Sequence, residues 1–438
     1  MIAMLDDEQR LDAEYYGSHD AVYTARAAQL AWAKRPIRKR LRIIANVRTL
    51  LAAQTTELAR AAASITDRPL SEKMVSEVLP LLDACRFLEK NAARILRSRR
   101  YGAAGRPLWL HGSSFRLHRK PMGVILIVSP GNYPLFLPAV QMLQAITAGN
   151  AVVIKPAEGA SGPICAFVEH VLKPAGIPND IVQILAEAPE AARAAVRCGV
   201  DKVIFTGSSQ NGRDFLAQLA KANTPSVMEL SGADTIYVRA DANVQLAARA
   251  IAFGLQLNDG NTCMAPHAIV VHVDASAALT SALRQHGIGA EELFVVRDDA
   301  EALYVAESNE HGLGAAIFSR DENAAHAFAD QLATGFVTIN DIIVPTADPR
   351  MPFGGVRGSG FGMTRGAEGL LEMTHPQAVA VRRARFLPHL DAPHPEDAQL
   401  FAAFAMMLHG RGFRERWNAL VQLVQLGRRR MKLKRGQK

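Results

Sequence analysis

Between residues 124 and 230, short runs of β-branched apolar residues alternate with segments of helical length. Nothing else in the chain narrows the possible folds as much. The runs are 124–128, 151–154, 181–185, 203–205 and 226–230, and the intervening segments include 135–148 and 164–172. Parallel strands need crossover connections, and strands covered by helices on both faces read as continuous apolar runs. A second block repeats the pattern, with strands expected at 268–273, 293–296, 315–318 and 336–339 and helices near 275–286 and 300–309. The expected fold class is therefore α/β, with two parallel-sheet domains meeting near residues 230–260 and facing a cleft that a ligand could occupy. Residues 21–96 carry apolar residues at spacings of three and four, punctuated by Pro36 and Pro69, and predict helices. Strand character returns at 115–118.

The expected boundaries are 1–229 for the first domain, including the N-terminal helices and a hairpin insert at 102–121, and 230–372 for the second. A strand follows in 373–387. Its apolar part, 378–381, stands alone and must pair elsewhere, with another subunit as the candidate partner. Residues 388–395 read as a Pro- and His-containing linker, and the remainder to 438 as a helical tail ending in Arg428, Arg429, Arg430, Lys432, Lys434 and Arg435. No internal repeat is visible.

The formal charge of +8 has to be located before it is interpreted. Residues 409–438 hold ten Lys and Arg against one acid, Glu415, so the other 408 residues carry 40 bases and 41 acids. The basicity belongs to the tail. Cys85, Cys165, Cys198 and Cys263 include no CxxC pair and no ligand-like His spacing, which predicts neither a disulfide framework nor a metal site and fits a reducing cytoplasm. The N-terminus reads as no signal peptide, and no apolar window approaches the roughly 18 residues of a membrane span.

Three segments carry chemistry. In Phe253-Gly254-Leu255-Gln256-Leu257-Asn258-Asp259-Gly260-Asn261-Thr262-Cys263, a cysteine follows a Gly- and Asn-rich turn that a reactant can approach closely. A lone cysteine is as readily a small buried apolar residue. In Met228-Glu229-Leu230-Ser231-Gly232, a carboxylate ends an apolar strand, where burial would raise it toward the range of a general base; an ion-paired glutamate is the plainer alternative. In Val128-Ser129-Pro130-Gly131-Asn132-Tyr133-Pro134, a strand exit fixes an amide that could donate to an oxyanion, or that could be an ordinary turn asparagine.

Taken together, in this order, the segments resemble the signature segments of the aldehyde dehydrogenase superfamily. Glu229 and Cys263 lie 34 positions apart and Asn132 and Cys263 lie 131 apart, close to the family's spacing. Ala148-Gly149-Asn150-Ala151-Val152-Val153-Ile154-Lys155-Pro156-Ala157-Glu158 resembles the family's strand into a Lys-Pro-x-Glu loop, which implies that Lys155 and Glu158 bind the adenosine ribose. A carboxylate there favours NAD over NADP, with NADP still possible. The stretch from Phe205 to Gly212 resembles the loop opening a helix beneath the pyrophosphate, implying roles for Gly207, Ser208 and Gly212. Pro352 to Gly362 resembles a further family segment. By this resemblance, which covers roughly residues 20–385, 1–229 is the cofactor-binding domain, 230–372 the catalytic domain and 373–387 an oligomerisation strand. The protein would be a homodimer or higher homo-oligomer acting on a small-molecule aldehyde. Asn132 and the Cys263 amide would polarise the aldehyde, Cys263 would attack it, and Glu229 would activate water to hydrolyse the thioester.

Ser231, Ala233 and Asn261 depart from the family's usual residues. A deletion follows Cys263, so that Glu292-Leu293-Phe294 arrives only 29 positions later and lacks the usual Gly-Pro. By the resemblance Glu292 would hold the nicotinamide ribose and Phe294 would lie against the ring. A coenzyme A-acylating enzyme of the same fold and a non-catalytic scaffold are the alternatives. In the tail, Phe413, Trp417, Leu420, Val421 and Val424 form an apolar stripe beside basic residues, suited to a membrane surface or to docking on the protein body. One basic cluster without stacking aromatics does not predict nucleic-acid binding.

Overall fold

A computed structural model describes residues 7–289, 293–383, 387–390 and 392–436. It splits into two compact units, one comprising the chain up to Arg99 together with Arg116–Val379, the other comprising Arg100–Phe115 and the chain from Ala380. The first unit contains two sheets. In the six-stranded sheet the order is Gly360–Phe361, Ser226–Glu229, Lys202–Thr206, Val124–Val128, Ala151–Lys155 and Val182–Ile184. All its pairings are parallel except that of Gly360–Phe361 with Ser226–Glu229. Every residue of Val124–Val128, Ala151–Lys155 and Lys202–Thr206 is buried, because helices cover both faces. The helix Ile37–Ala53 begins directly after Pro36 and turns Ile44, Val47 and Leu51 into this core, the spacing that puts residues on one helical face. Pro69 likewise precedes a helix, Leu70–Lys73.

The second sheet has five parallel strands in the order Leu293–Val296, Pro266–His272, Asp234–Val238, Gly314–Phe318 and Phe336–Ile339. Its central strand, Asp234–Val238, was not among the expected ones. Alternation along it separates two cores: Ile236 and Val238 join Ile251, Val271 and Leu279 on one side, while Tyr237 joins Val270, Ile317 and Phe328 on the other. Of the two expected helices, the first is Val273–Gln285 and the second Asp299–Glu307.

A third sheet orders Arg99–Tyr101, Ser113–Pro121 and Thr374–Arg382. The stretch 378–381 thus finds its partner within this chain, on Ser113–Pro121. In the second unit the helices Asp397–His409 and Phe413–Gly436 run antiparallel across a short turn, and Arg430 near the end of one donates to Asp397 at the start of the other (2.9 Å). Ala403, Ala419 and Leu426 are buried, whereas Phe413, Trp417, Val421 and Val424 are exposed.

Candidate active site

Glu229 is the last residue of the strand Ser226–Glu229, beside Thr206 on one neighbour and Gly360 on the other. It is 2% exposed. Its Oε2 accepts from the Thr364 hydroxyl (2.8 Å), and its buried Oε1 meets no protein donor. Burial raises the carboxyl above the ordinary range, opposed by the positive charge of Arg365 and by the Thr364 hydroxyl.

The loop that carries Cys263 leaves the helix Val244–Gln256 through a tight turn in which Asn258, Asp259 and Gly260 all have positive φ (53°, 54° and 74°). Asn, Asp and Gly are the residues that accept this left-handed conformation most readily, which explains the local sequence. Cys263 follows, half-buried. Its backbone lies so close to the end of the Glu229 strand that a Cβ on Gly232 would stand 2.2 Å from the Cys263 carbonyl oxygen. The thiol is pushed up to about 12 by burial and by the negative charges of Glu229 and Asp234, against Arg365 and the residue's own backbone N–H. Asp234 is itself buried and pushed up to about 8, with one hydrogen bond from the Gly314 amide (3.0 Å).

Asn132 stands on the turn after Val124–Val128. Its Nδ2 donates to the Asn261 carbonyl (2.9 Å), which leaves the amide's second N–H for another acceptor. A network that the sequence reading did not find holds this turn to the Cys263 loop. The π-helical turn Met74–Val78 buries Glu77, whose Oε2 accepts from the backbone amides of Leu135 (2.8 Å) and Phe136 (3.0 Å) at the start of the buried helix Phe136–Ala148. The other oxygen of Glu77 meets Lys73 Nζ at 3.4 Å. Lys73 donates to Asn258 Oδ1 (3.1 Å), and Asn258 Nδ2 donates to the Asn132 carbonyl (3.0 Å). Tyr133 OH also bonds Thr262 Oγ1 (2.7 Å). The i,i+4 spacing of Lys73 and Glu77 amid apolar neighbours was the available signal.

Two cavities meet at Leu137, Glu229, Thr262 and Cys263. One, of about 530 Å³, is lined by Gly131, Asn132, Gly207, Ser208, Ser231 and Gly232 among others. The second, of about 140 Å³, has mainly apolar walls, including Val75, Phe136, Phe253, Leu257, Met264 and Phe353, with Arg365 at one end. Arg365 is 6% exposed, lies over the rings of Phe353 (4.0 Å) and Phe136 (5.6 Å), and donates through Nη1 to the Thr346 carbonyl.

The structure thus places Asn132, Glu229, Cys263, Gly207 and Ser208 around one space. Ser208 caps the helix Ser209–Ala222 by accepting from the Asn211 amide (3.2 Å). Gly212 does not line that space; a Cβ there would meet Leu230 at 2.3 Å, so it allows this helix to approach the end of the Glu229 strand. Lys155 ends, and Glu158 follows, the strand two places along the sheet from Lys202–Thr206. Glu187, missed in the sequence, fixes their loop by accepting from the Gly159 (2.8 Å) and Ser161 (2.9 Å) amides. Phe294 sits on the edge strand of the second sheet, paired with Val270 and 49% exposed, and lines neither cavity. Glu292 lies outside the described residues. Among those described, no cluster of three or more His, Cys, Asp or Glu could hold a metal ion.

The family model for the aldehyde dehydrogenase family matches residues 11–287 and 292–379, its gap falling at the shortened segment. A 4,4′-diapolycopene aldehyde oxidase of a Methylomonas species is 27% identical over 82% of this chain and 81% of its own length. A dimeric NADP-preferring aldehyde dehydrogenase of Mus musculus is 25% identical over 61% of this chain and 74% of its own. Among solved structures, an NAD-dependent aldehyde dehydrogenase from Sinorhizobium meliloti superposes with a TM-score of 0.80 at 22% identity, covering 86% of this chain and 89% of that one. With a family match spanning both sheets and both sides of the cavity, the chain belongs to the aldehyde dehydrogenase family.

Proposed function

We propose that this protein oxidises an apolar aldehyde to the carboxylic acid with NAD⁺ or NADP⁺, through a thioester on Cys263 hydrolysed by water that Glu229 activates. The observation that carries the proposal is the meeting of two cavities at Cys263 and Glu229, one of mixed lining and open to a helix N-terminus, the other apolar.

A dinucleotide fits the residues present. Gly207 and Ser208 bring the positive end of the helix Ser209–Ala222 to the larger cavity, and a Cβ at Gly207 would press on the Phe205 ring at 3.1 Å. Lys155 and Glu158 would hold the adenosine ribose, with Glu158 disfavouring a 2′-phosphate and so favouring NAD⁺. When bound there, the nicotinamide supplies the hydride acceptor.

The rest is done by side chains. The Cys263 thiol gives up its proton to water in the cavity, the sulfur adds to the aldehyde carbon, and the carbonyl π bond opens onto oxygen. The free N–H of Asn132 and the Cys263 backbone N–H donate to the oxygen that gains charge. Loss of hydride leaves the acyl group on sulfur. Glu229 then takes a proton from water, the resulting hydroxide adds to the acyl carbon, and the carbon–sulfur bond breaks to release the acid. Adding coenzyme A should leave free acid as the product. The apolar walls of the smaller cavity support an apolar substrate, in keeping with a relative named for a carotenoid aldehyde.

The test is a turnover assay with NAD⁺, NADP⁺ and aldehydes of graded chain length. Cys263→Ala should abolish NADH production, and Glu229→Gln should give a single burst of NADH followed by stalled turnover. Steady activity in Cys263→Ala would overturn the assignment. Two further readings accompany this one: that the protein is a homo-oligomer, supported by the exposed strand Thr374–Arg382, and that the tail touches membrane surfaces, supported by the exposed stripe from Phe413 to Val424.

A further inference from the structure

We infer that Arg365 is a positioning residue for Glu229, supplying the counter-charge that holds this carboxylate in working form while the thioester is hydrolysed. The inference rests on the roles proposed above for Cys263 and Glu229.

Two buried polar atoms carry it. Glu229 Oε1 and Arg365 Nε both lie beneath the surface without a hydrogen-bond partner in the protein, on residues that line the apolar cavity beside Cys263. Adjacent residues serve the one carboxylate: Thr364 donates to Oε2, and Arg365, next in the chain, acts on it through charge. The guanidinium is fixed from three sides, by the Phe353 and Phe136 rings and by the Thr346 carbonyl, and it makes no ion-pair contact with Glu229.

This separation suits a base. A carboxylate lodged among Phe136, Met264 and Phe353 with no cation nearby would keep its proton and could not take one from water. A carboxylate in direct ion pair with arginine would have its lone pairs engaged. Here the nearby charge favours ionisation while Oε1 stays open to a water proton.

The charged and titratable groups around Glu229 are Arg365, from the start of the helix Gly366–Glu372, and Cys263, from the nucleophile loop, with Asp234 acting on Cys263 from beyond. In the acyl-enzyme the sulfur is esterified and no longer titrates. The hydrolysis step measured alone therefore reports Glu229.

Stopped-flow with hexanal and NAD⁺ resolves the NADH burst from the hydrolysis that follows, across pH 5.5–9.5. In Arg365→Met the burst amplitude should persist. The acid limb of hydrolysis should move up by about one pH unit, so that the step is roughly tenfold slower near neutrality and recovers in alkali. Arg365→Gln, which keeps a donor for the Thr346 carbonyl without the charge, should show the same shift even if the Met variant folds poorly. Arg365→Lys should restore the limb. A wild-type limb in Arg365→Gln, or an equal loss at every pH, overturns the inference. Unchanged hydrolysis in Glu229→Gln would instead strike the reading beneath it.

Discussion

A thiol pushed to about 12 is almost wholly protonated at neutral pH, so Cys263 in the protein without substrate or cofactor is a weak nucleophile. Burial is the main cause, and the two nearby carboxyl groups add to it. Iodoacetamide should therefore modify Cys263 slowly at pH 7.5, and Glu229→Gln should speed the reaction several-fold; peptide mapping of the labelled cysteine against time checks this. Asp234 yields a second expectation. Its folded value of about 8 lies above the ordinary 3.8, so the stability it contributes is complete below about 4 and is lost as pH rises through about 8. Asp234→Asn keeps an acceptor for the Gly314 amide and removes the titration. Urea unfolding should show the variant gaining on the wild type by on the order of 4 kcal/mol between pH 5 and pH 9. That Cys263, Glu229 and Asn132 meet at one cavity was legible in the sequence because each sits in a short segment whose turn residues are dictated locally. Arg365, Thr364 and Asp234 were not, because their roles arise from residues far away in the chain. Phe294 shows the converse, a readable motif that a deletion carries onto a sheet edge.

Two buried charges one helical turn apart tie the elements of the site together. Lys73 and Glu77 join the start of the helix Phe136–Ala148 to the Cys263 loop, and removing either leaves the other without its counter-charge. Lys73→Met should destabilise the protein by about 3–5 kcal/mol, whereas the double variant Lys73→Met/Glu77→Gln should lose less than the sum of the singles. Because the pair fixes Asn132 and Cys263 relative to each other, kcat should fall in the single variants while cofactor affinity holds. A double-mutant cycle read by thermal unfolding and by kcat measures both, and additive losses would remove the coupling. The strands Val124–Val128, Ala151–Lys155 and Lys202–Thr206 of the first sheet were legible because they are buried on both faces and read as almost unbroken apolar runs, whereas the edge strand Gly360–Phe361 was not expected. Asp234–Val238 was missed because it starts only five residues after Glu229 and opens on polar Asp234 and Thr235; only its long-range pairing with Pro266–His272 and Gly314–Phe318 makes it central. Lys73 and Glu77 escaped notice because charges at i,i+4 on a helix are ordinarily a solvated pair.

At the scale of the molecule, two surfaces have apolar residues in the open. Thr374–Arg382 is the outer strand of its sheet, with Val379 and Val381 exposed, and an unprotected edge of this kind is a template for pairing with another chain. Light scattering after gel filtration should find a dimer or larger assembly, and Val379→Lys/Val381→Lys should shift it toward monomer. The tail presents the other surface. No helix among the described residues is long and apolar enough to cross a membrane, so any lipid contact has to be peripheral. Phe413, Trp417, Val421 and Val424 recur at spacings of four, four and three, which puts them on one face of the helix Phe413–Gly436, with Phe413 83% and Trp417 56% exposed. Arg428 and Arg429 follow on the same helix and are also exposed. Apolar insertion and attraction to anionic headgroups are each weak alone and add when they share one helix. The full chain should therefore sediment with vesicles containing phosphatidylserine, less in 0.5 M salt, and little with neutral phosphatidylcholine. Trp417→Ser/Val421→Ser should abolish sedimentation even at low salt, and Arg428→Glu/Arg429→Glu should remove its dependence on lipid charge, both with turnover of hexanal intact. Equal sedimentation of all three proteins would show that the stripe has another use, such as packing against a second copy of the chain.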